Sequence, residues 1–112
     1  MNKIIYVPDR GDIIWLDLNP RIGHEQSGHR PGLVLSPRRF NEKTGLAIIC
    51  PITSQVKGLP LEIRIKDGKI DGVILPMHIK SVDIATRHAQ YIQKASSTVL
   101  NQTAKYVRLI TE

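Results

Sequence analysis

A chain of 112 residues, 41% of them hydrophobic and 23% charged, can bury one modest core but not two, which excludes two-domain enzymes. No apolar run approaches the ~18 residues of a membrane span, and the run from Met1 to Asp9 holds no apolar stretch long enough for a signal peptide, so the expected location is cytoplasmic and no membrane partner is expected. The single cysteine, Cys50, excludes an intrachain disulfide and a cysteine-rich metal site, while 16 Lys and Arg against 10 Asp and Glu leave a net charge of +6 that favours a polyanionic or acidic partner.

In chain order, residues 12–17, 33–36 and 47–53 are short runs rich in Ile, Val and Leu, each bounded by Gly, Pro or Asn, and each is expected to form a strand. Residues 19–31, between the first two, form the longest segment without a periodic pattern, and loops of that size in compact domains tend to carry function. A short helical turn is expected at 38–43. In Leu61-Glu62-Ile63-Arg64-Ile65-Lys66 three apolar residues alternate with three charged ones, the pattern of an antiparallel strand with one buried face. Asp67-Gly68 follows at once with hairpin chemistry, and a second Asp71-Gly72 precedes the apolar Val73-Ile74-Leu75. Residues 79–84 and 89–93 are expected to add two short strands. Then the period changes: Leu100, Ala104, Val107 and Ile110 recur at helical spacing behind Ser96 and Ser97, either of which can cap a helix. The whole predicts a single mainly β domain over residues 1–112, a small antiparallel barrel closed at one end by a C-terminal helix, with Cys50 filling its core.

Two segments concentrate polar chemistry. Gly23-His24-Glu25-Gln26-Ser27-Gly28-His29-Arg30-Pro31 packs a carboxylate, two imidazoles and a guanidinium ahead of an apolar strand. A surface ion pair of Glu25 with Arg30 would explain part of it at little gain in stability, and His24 and His29 lack the companions of a metal site. In Pro51-Ile52-Thr53-Ser54-Gln55-Val56-Lys57-Gly58 an apolar strand ends in two hydroxyls, an amide and a lysine, a set suited to a phosphodiester, although an ordinary strand exit uses the same residue types. Neither a phosphate-binding Gly-x-x-x-x-Gly-Lys-Ser/Thr, nor a Gly-x-Gly-x-x-Gly, nor a Gly-x-Ser-x-Gly elbow is present.

Taken in order, Asp9-Arg10-Gly11-Asp12-Ile13-Ile14-Trp15, Glu25-Gln26-Ser27-Gly28-His29-Arg30-Pro31, Val34-Leu35-Ser36-Pro37, Pro51-Ile52-Thr53-Ser54-Gln55 and Asp71-Gly72-Val73 resemble the MazF/PemK family of toxin endoribonucleases, closest to its chromosomal MazF branch. The resemblance implies an SH3-like antiparallel β-barrel with a C-terminal helix, a homodimer, cleavage of single-stranded RNA or mRNA at short sequences without metal or other cofactor, and an acidic MazE-like antitoxin as partner. It matches Arg30 and Thr53 to the catalytic arginine and threonine and Glu25 to a loop carboxylate, and it places Gln55 and His78 where relatives contact bases. His29, Ser54, Lys57 and Lys80 complete the expected RNA-binding set. Met77 stands where the plasmid Kid/PemK branch has an acidic catalytic residue, and His78 where many relatives have Gln, so the expected mechanism follows the Arg30/Thr53 version. In such cleavage the RNA 2′-OH is the nucleophile, and Arg30 and Thr53 would donate to the phosphoryl oxygens in the manner of an oxyanion hole. A guanidinium pKa above ~12 makes a neutral Arg30 scarce at pH 7, which leaves Glu25 as the alternative base. Two other readings fit the same barrel: a non-catalytic CcdB-type toxin acting through the helix end Arg108-Leu109-Ile110-Thr111-Glu112, and a basic nucleic-acid-binding module indifferent to Thr53.

Overall fold

The computed structural model describes residues 5–17, 29–56 and 58–112. Seven strands and two helices follow one another: β1 (Asp12–Asp17), β2 (His29–Val34), α1 (Arg38–Thr44), β3 (Leu46–Thr53), β4 (Ile63–Asp67), β5 (Ile70–Ile74), β6 (Lys80–Asp83), β7 (Gln90–Lys94) and α2 (Ser97–Thr111), with a 3₁₀ turn at Pro76–His78 before β6. All pairings are antiparallel, in the order β4-β5-β3-β2-β1-β7, with β6 on the first half of β3. The sheet curls into a half-barrel, as the sequence predicts.

Burial on both faces of the sheet explains the apolar runs of its central strands. Ile13 faces a main core with Leu33, Cys50, Ile52, Ile65 and Ile74, whereas Ile14 and Leu16 face a second cluster with Val34, Ile49 and Val82. Edge strand β4 keeps the alternation of a one-sided strand, with Ile63 and Ile65 buried and Arg64 and Lys66 exposed. Each large apolar side chain buried in this way contributes roughly 1.5–3 kcal/mol. Cys50 has no solvent exposure, and burial pushes its thiol up to about 12, so it packs as a small hydrophobe.

Helix α2 starts where Ser96 Oγ accepts the Val99 N–H at 3.2 Å, and it lays Val99, Leu100, Tyr106 and Val107 on the main core. Its predicted apolar face stops short of Ile110: Leu109 and Ile110 are 52% and 41% exposed, and Val107 is the last residue of the helix packed on the core. No helix among the described residues is long and apolar enough to cross a membrane.

Two polar clusters fix the segments around the barrel. Buried Asp12 accepts from the Tyr6 hydroxyl, from the Asp9 N–H at 2.9 Å and from Lys94 Nζ at 2.6 Å. That bond to Asp12 holds the Lys94 ammonium above its ordinary value, and burial, with the Asp12 bond second, drives Tyr6 far up. Asp9 in turn accepts from the N–H groups of Arg38 and Arg10, which lower its carboxyl, and so ties the start of α1 to the chain leading into β1. Asn41, fully buried on α1, donates to the carbonyls of Pro8 and Ser36 and accepts from Ser36 Oγ. A buried amide so fully bonded docks the helix in one place.

Candidate active site

Strands β2 and β3 pair through Gly32↔Pro51, Leu33↔Cys50 and Val34↔Ile49, and the same register continued toward the strand ends sets Arg30 opposite Thr53. Both line a cavity of about 270 Å³. Strand β3 adds Ile52, the residue after it adds Ser54, and the β4–β5 hairpin adds Lys69, Ile70 and Asp71. Trp15 of β1 and Ile92 of β7 complete the apolar part of the wall with Pro31.

The end of β3 is held from two sides. Thr53 Oγ1 accepts the Gln55 N–H at 3.2 Å, so the hydroxyl's own proton is left to donate elsewhere. Beneath it, a Cβ built on Gly72 would lie 2.2 Å from the Thr53 carbonyl oxygen, an approach only glycine permits. The Asp71-Gly72 dipeptide is thus interior to β5, where its glycine lets two backbones close up, rather than a turn. The turn itself is the two-residue loop Gly68-Lys69 between the paired Asp67 and Ile70, with Gly68 at φ +59°, the geometry of a type II′ hairpin.

Of the residues singled out in the sequence, the structure brings Arg30, Thr53 and Ser54 to one cavity, with Gln55 beside it through its N–H to Thr53. His78, in the 3₁₀ turn, and Lys80, paired with Ile49 near the middle of β3, do not line it. Glu25, the His29 side chain and Lys57 lie outside the described residues. Trp15, Lys69, Asp71 and Ile92 were not singled out by sequence reasoning. For Trp15 a signal existed, since the chain's one tryptophan stands two positions beyond core-facing Ile13 near the end of its strand and so shares that face. Among the described residues no three His, Cys, Asp or Glu side chains are grouped to hold a metal ion.

A curled antiparallel half-barrel with a terminal helix, and an arginine and a threonine lining one open cavity at the ends of neighbouring strands, define a small β protein with a cavity whose chemistry suits an anionic group. Comparison with known proteins gives the family. The pattern of PemK-like, MazF-like toxins of type II toxin-antitoxin systems matches residues 9–111, and the chain belongs to that family. It is 48% identical over 84 residues to the endoribonuclease toxin MazF of Escherichia coli K12, covering 75% of this chain and 76% of that one. It is 31% identical over 110 residues to the endoribonuclease toxin ChpB of the same strain, covering 93% and 94%. A chain in the crystal structure of MazE-MazF (Form-II) from Deinococcus radiodurans aligns with a TM-score of 0.87 at 40% identity, over 94% of this chain and 96% of that one.

Proposed function

We propose that this chain is the endoribonuclease toxin of a type II toxin-antitoxin pair, cutting single-stranded mRNA at short sequences in the cytoplasm, as a homodimer restrained by an acidic MazE-like antitoxin. The observation that carries the reading is the meeting of Arg30 and Thr53 over one cavity from two different strands. The endoribonuclease names of the relatives and the MazE-MazF complex among the similar structures support it.

In the proposed reaction the RNA 2′-oxygen gives up its proton and bonds to the adjacent phosphorus while the P–O5′ bond breaks and the departing O5′ takes a proton from solvent water, which leaves a 2′,3′-cyclic phosphate and a 5′-OH. Metal is not needed, because the nucleophile is built into the substrate. The Arg30 guanidinium donates a planar fork of N–H groups to the phosphorane oxygens, and the Thr53 hydroxyl adds one more donor. A guanidinium is a poor proton acceptor at neutral pH, so Glu25, five residues earlier in the chain, is the carboxylate assigned to take the 2′-OH proton. Trp15 offers a face on which a base stacks, and Ser54 and Gln55, with His29, Lys57, His78 and Lys80, supply further RNA contacts.

Incubating the purified protein with a long RNA in excess EDTA tests this directly. The expected result is cutting at a recurrent short sequence with 5′-OH ends. Intact RNA would reject the nuclease reading in favour of a non-catalytic toxin or a binding module.

A further inference from the structure

We propose that Lys69, at the tip of the β4–β5 hairpin, is a substrate-binding residue that contacts an RNA phosphate next to the one held by Arg30 and Thr53. The inference rests on the endoribonuclease reading and deepens it. Three observations set Lys69 apart from an ordinary solvated lysine. It lines the same cavity as Arg30 and Thr53. Its backbone is fastened from across the barrel: Gln93 of β7 accepts the Lys69 N–H at 3.1 Å through Oε1 and donates to the Asp67 carbonyl at 2.9 Å through Nε2. This one amide bridges the two edge strands of the sheet, β4 and β7, which share no ladder. Gly68 is fitted to it, since a Cβ there would stand 2.6 Å from Gln93 Oε1, so the tip is held down over the cavity.

The third observation is charge. Asp71 also lines the cavity, but its carboxylate is engaged by Arg64 at 2.8 Å, and Arg64 donates in addition to the Gly72 carbonyl at 2.7 Å. Among the described residues Lys69 makes no ion pair, so the charges left to a ligand in this cavity are those of Lys69 and Arg30. The two cations suit different tasks. Arg30 presents the fixed fork that a reacting phosphorus requires, whereas a lysine is a mobile point charge and meets the looser demands of a flanking phosphate. A residue of this kind adds affinity without reading sequence.

The test begins by mapping the wild-type cut on a long RNA and preparing a short oligoribonucleotide spanning it, with a 2′-deoxy sugar at the cut so that it binds uncleaved. Lys69→Ala is expected to weaken its binding roughly 3–10-fold at ~50 mM salt and to lower the magnitude of the log Kd against log salt slope by about 0.7, the value for one lost phosphate contact on a single strand. With cleavable RNA the loss in kcat/KM is expected to fall on KM, and Lys69→Arg is expected to restore both KM and the salt slope. If the wild type leaves RNA intact, it is the nuclease reading that fails and Lys69 with it. If the wild type cuts and Lys69→Ala matches its KM and salt slope, or Lys69→Arg restores neither, the assignment of Lys69 alone is overturned. Weakened binding of an acidic peptide with unchanged RNA binding overturns it equally, by giving Lys69 to a protein partner.

Discussion

At the residue scale, the Thr53 hydroxyl can be removed with little change in side-chain shape. Its oxygen accepts the Gln55 N–H and its proton is free to donate, so replacing Thr53 by Val keeps the shape, leaves the Gln55 N–H without that acceptor and removes the donor proposed for the phosphorane. If that donor acts as one member of an oxyanion hole, Thr53→Val is expected to lower kcat by roughly 10²-fold with the fold intact. Single-turnover cleavage alongside a thermal melt checks this, and a loss below about threefold would reduce the hydroxyl to a turn-former. Arg30 and Thr53 were singled out through the family resemblance, since the polar segments that hold them fit ordinary loop and strand-exit chemistry as well. Lys69 was not legible. Nothing local distinguishes it from Lys66 three positions earlier; what differs is the Gln93 amide, 24 residues away in sequence, that fastens its backbone over the cavity.

At the scale of elements, the strands were legible where one pattern dominated and blurred where it did not. β1 is observed over the predicted residues because Gly11 and the apolar run delimit it, and the alternation of β4 survives because its outer face stays in solvent. β2 is displaced: it spans His29–Val34 instead of 33–36, since His29, Arg30, Pro31 and Gly32 carry no strand propensity and are recruited by pairing with β1, Trp15 opposite Pro31. The Asp71-Gly72 pair has turn composition and strand position, and its glycine answers to β3 rather than to a bend. Gly72→Ala is therefore expected to act on the active site from within the sheet. Its methyl group would have to push β5 away from the Thr53 carbonyl, at a cost of about 1–3 kcal/mol as in other overpacked sites. Because Thr53 moves with its backbone, cleavage is expected to fall further than stability does. The comparison is made under conditions where the variant is still fully folded by circular dichroism; a destabilised Gly72→Ala that cuts at the wild-type rate would separate the glycine from the site.

At the scale of the whole molecule, charge joins the proposed substrate to the proposed regulator. A chain of net charge +6 attracts RNA and an acidic antitoxin by the same field, and both are expected to use the surface around the Arg30 cavity. They should bind it by different balances of force. RNA is held chiefly through phosphates, whose release of counterions makes its affinity fall steeply with salt. A peptide rich in Glu, Asp and apolar anchors combines ion pairs with buried apolar area, and the apolar part is not screened. Trp15, a partly exposed apolar side chain lining the cavity, gives such anchors a place to dock. We expect the peptide to inhibit cleavage competitively, and its affinity to decline less than that of an uncleavable RNA between ~50 and ~200 mM salt. Raising the salt should then shift the competition toward the peptide, so that a fixed peptide concentration inhibits more completely at the higher ionic strength. Titrating each ligand alone and then together checks the prediction: a ternary complex of protein, RNA and peptide, or an RNA affinity indifferent to salt, would show that the two partners do not share one electrostatic surface.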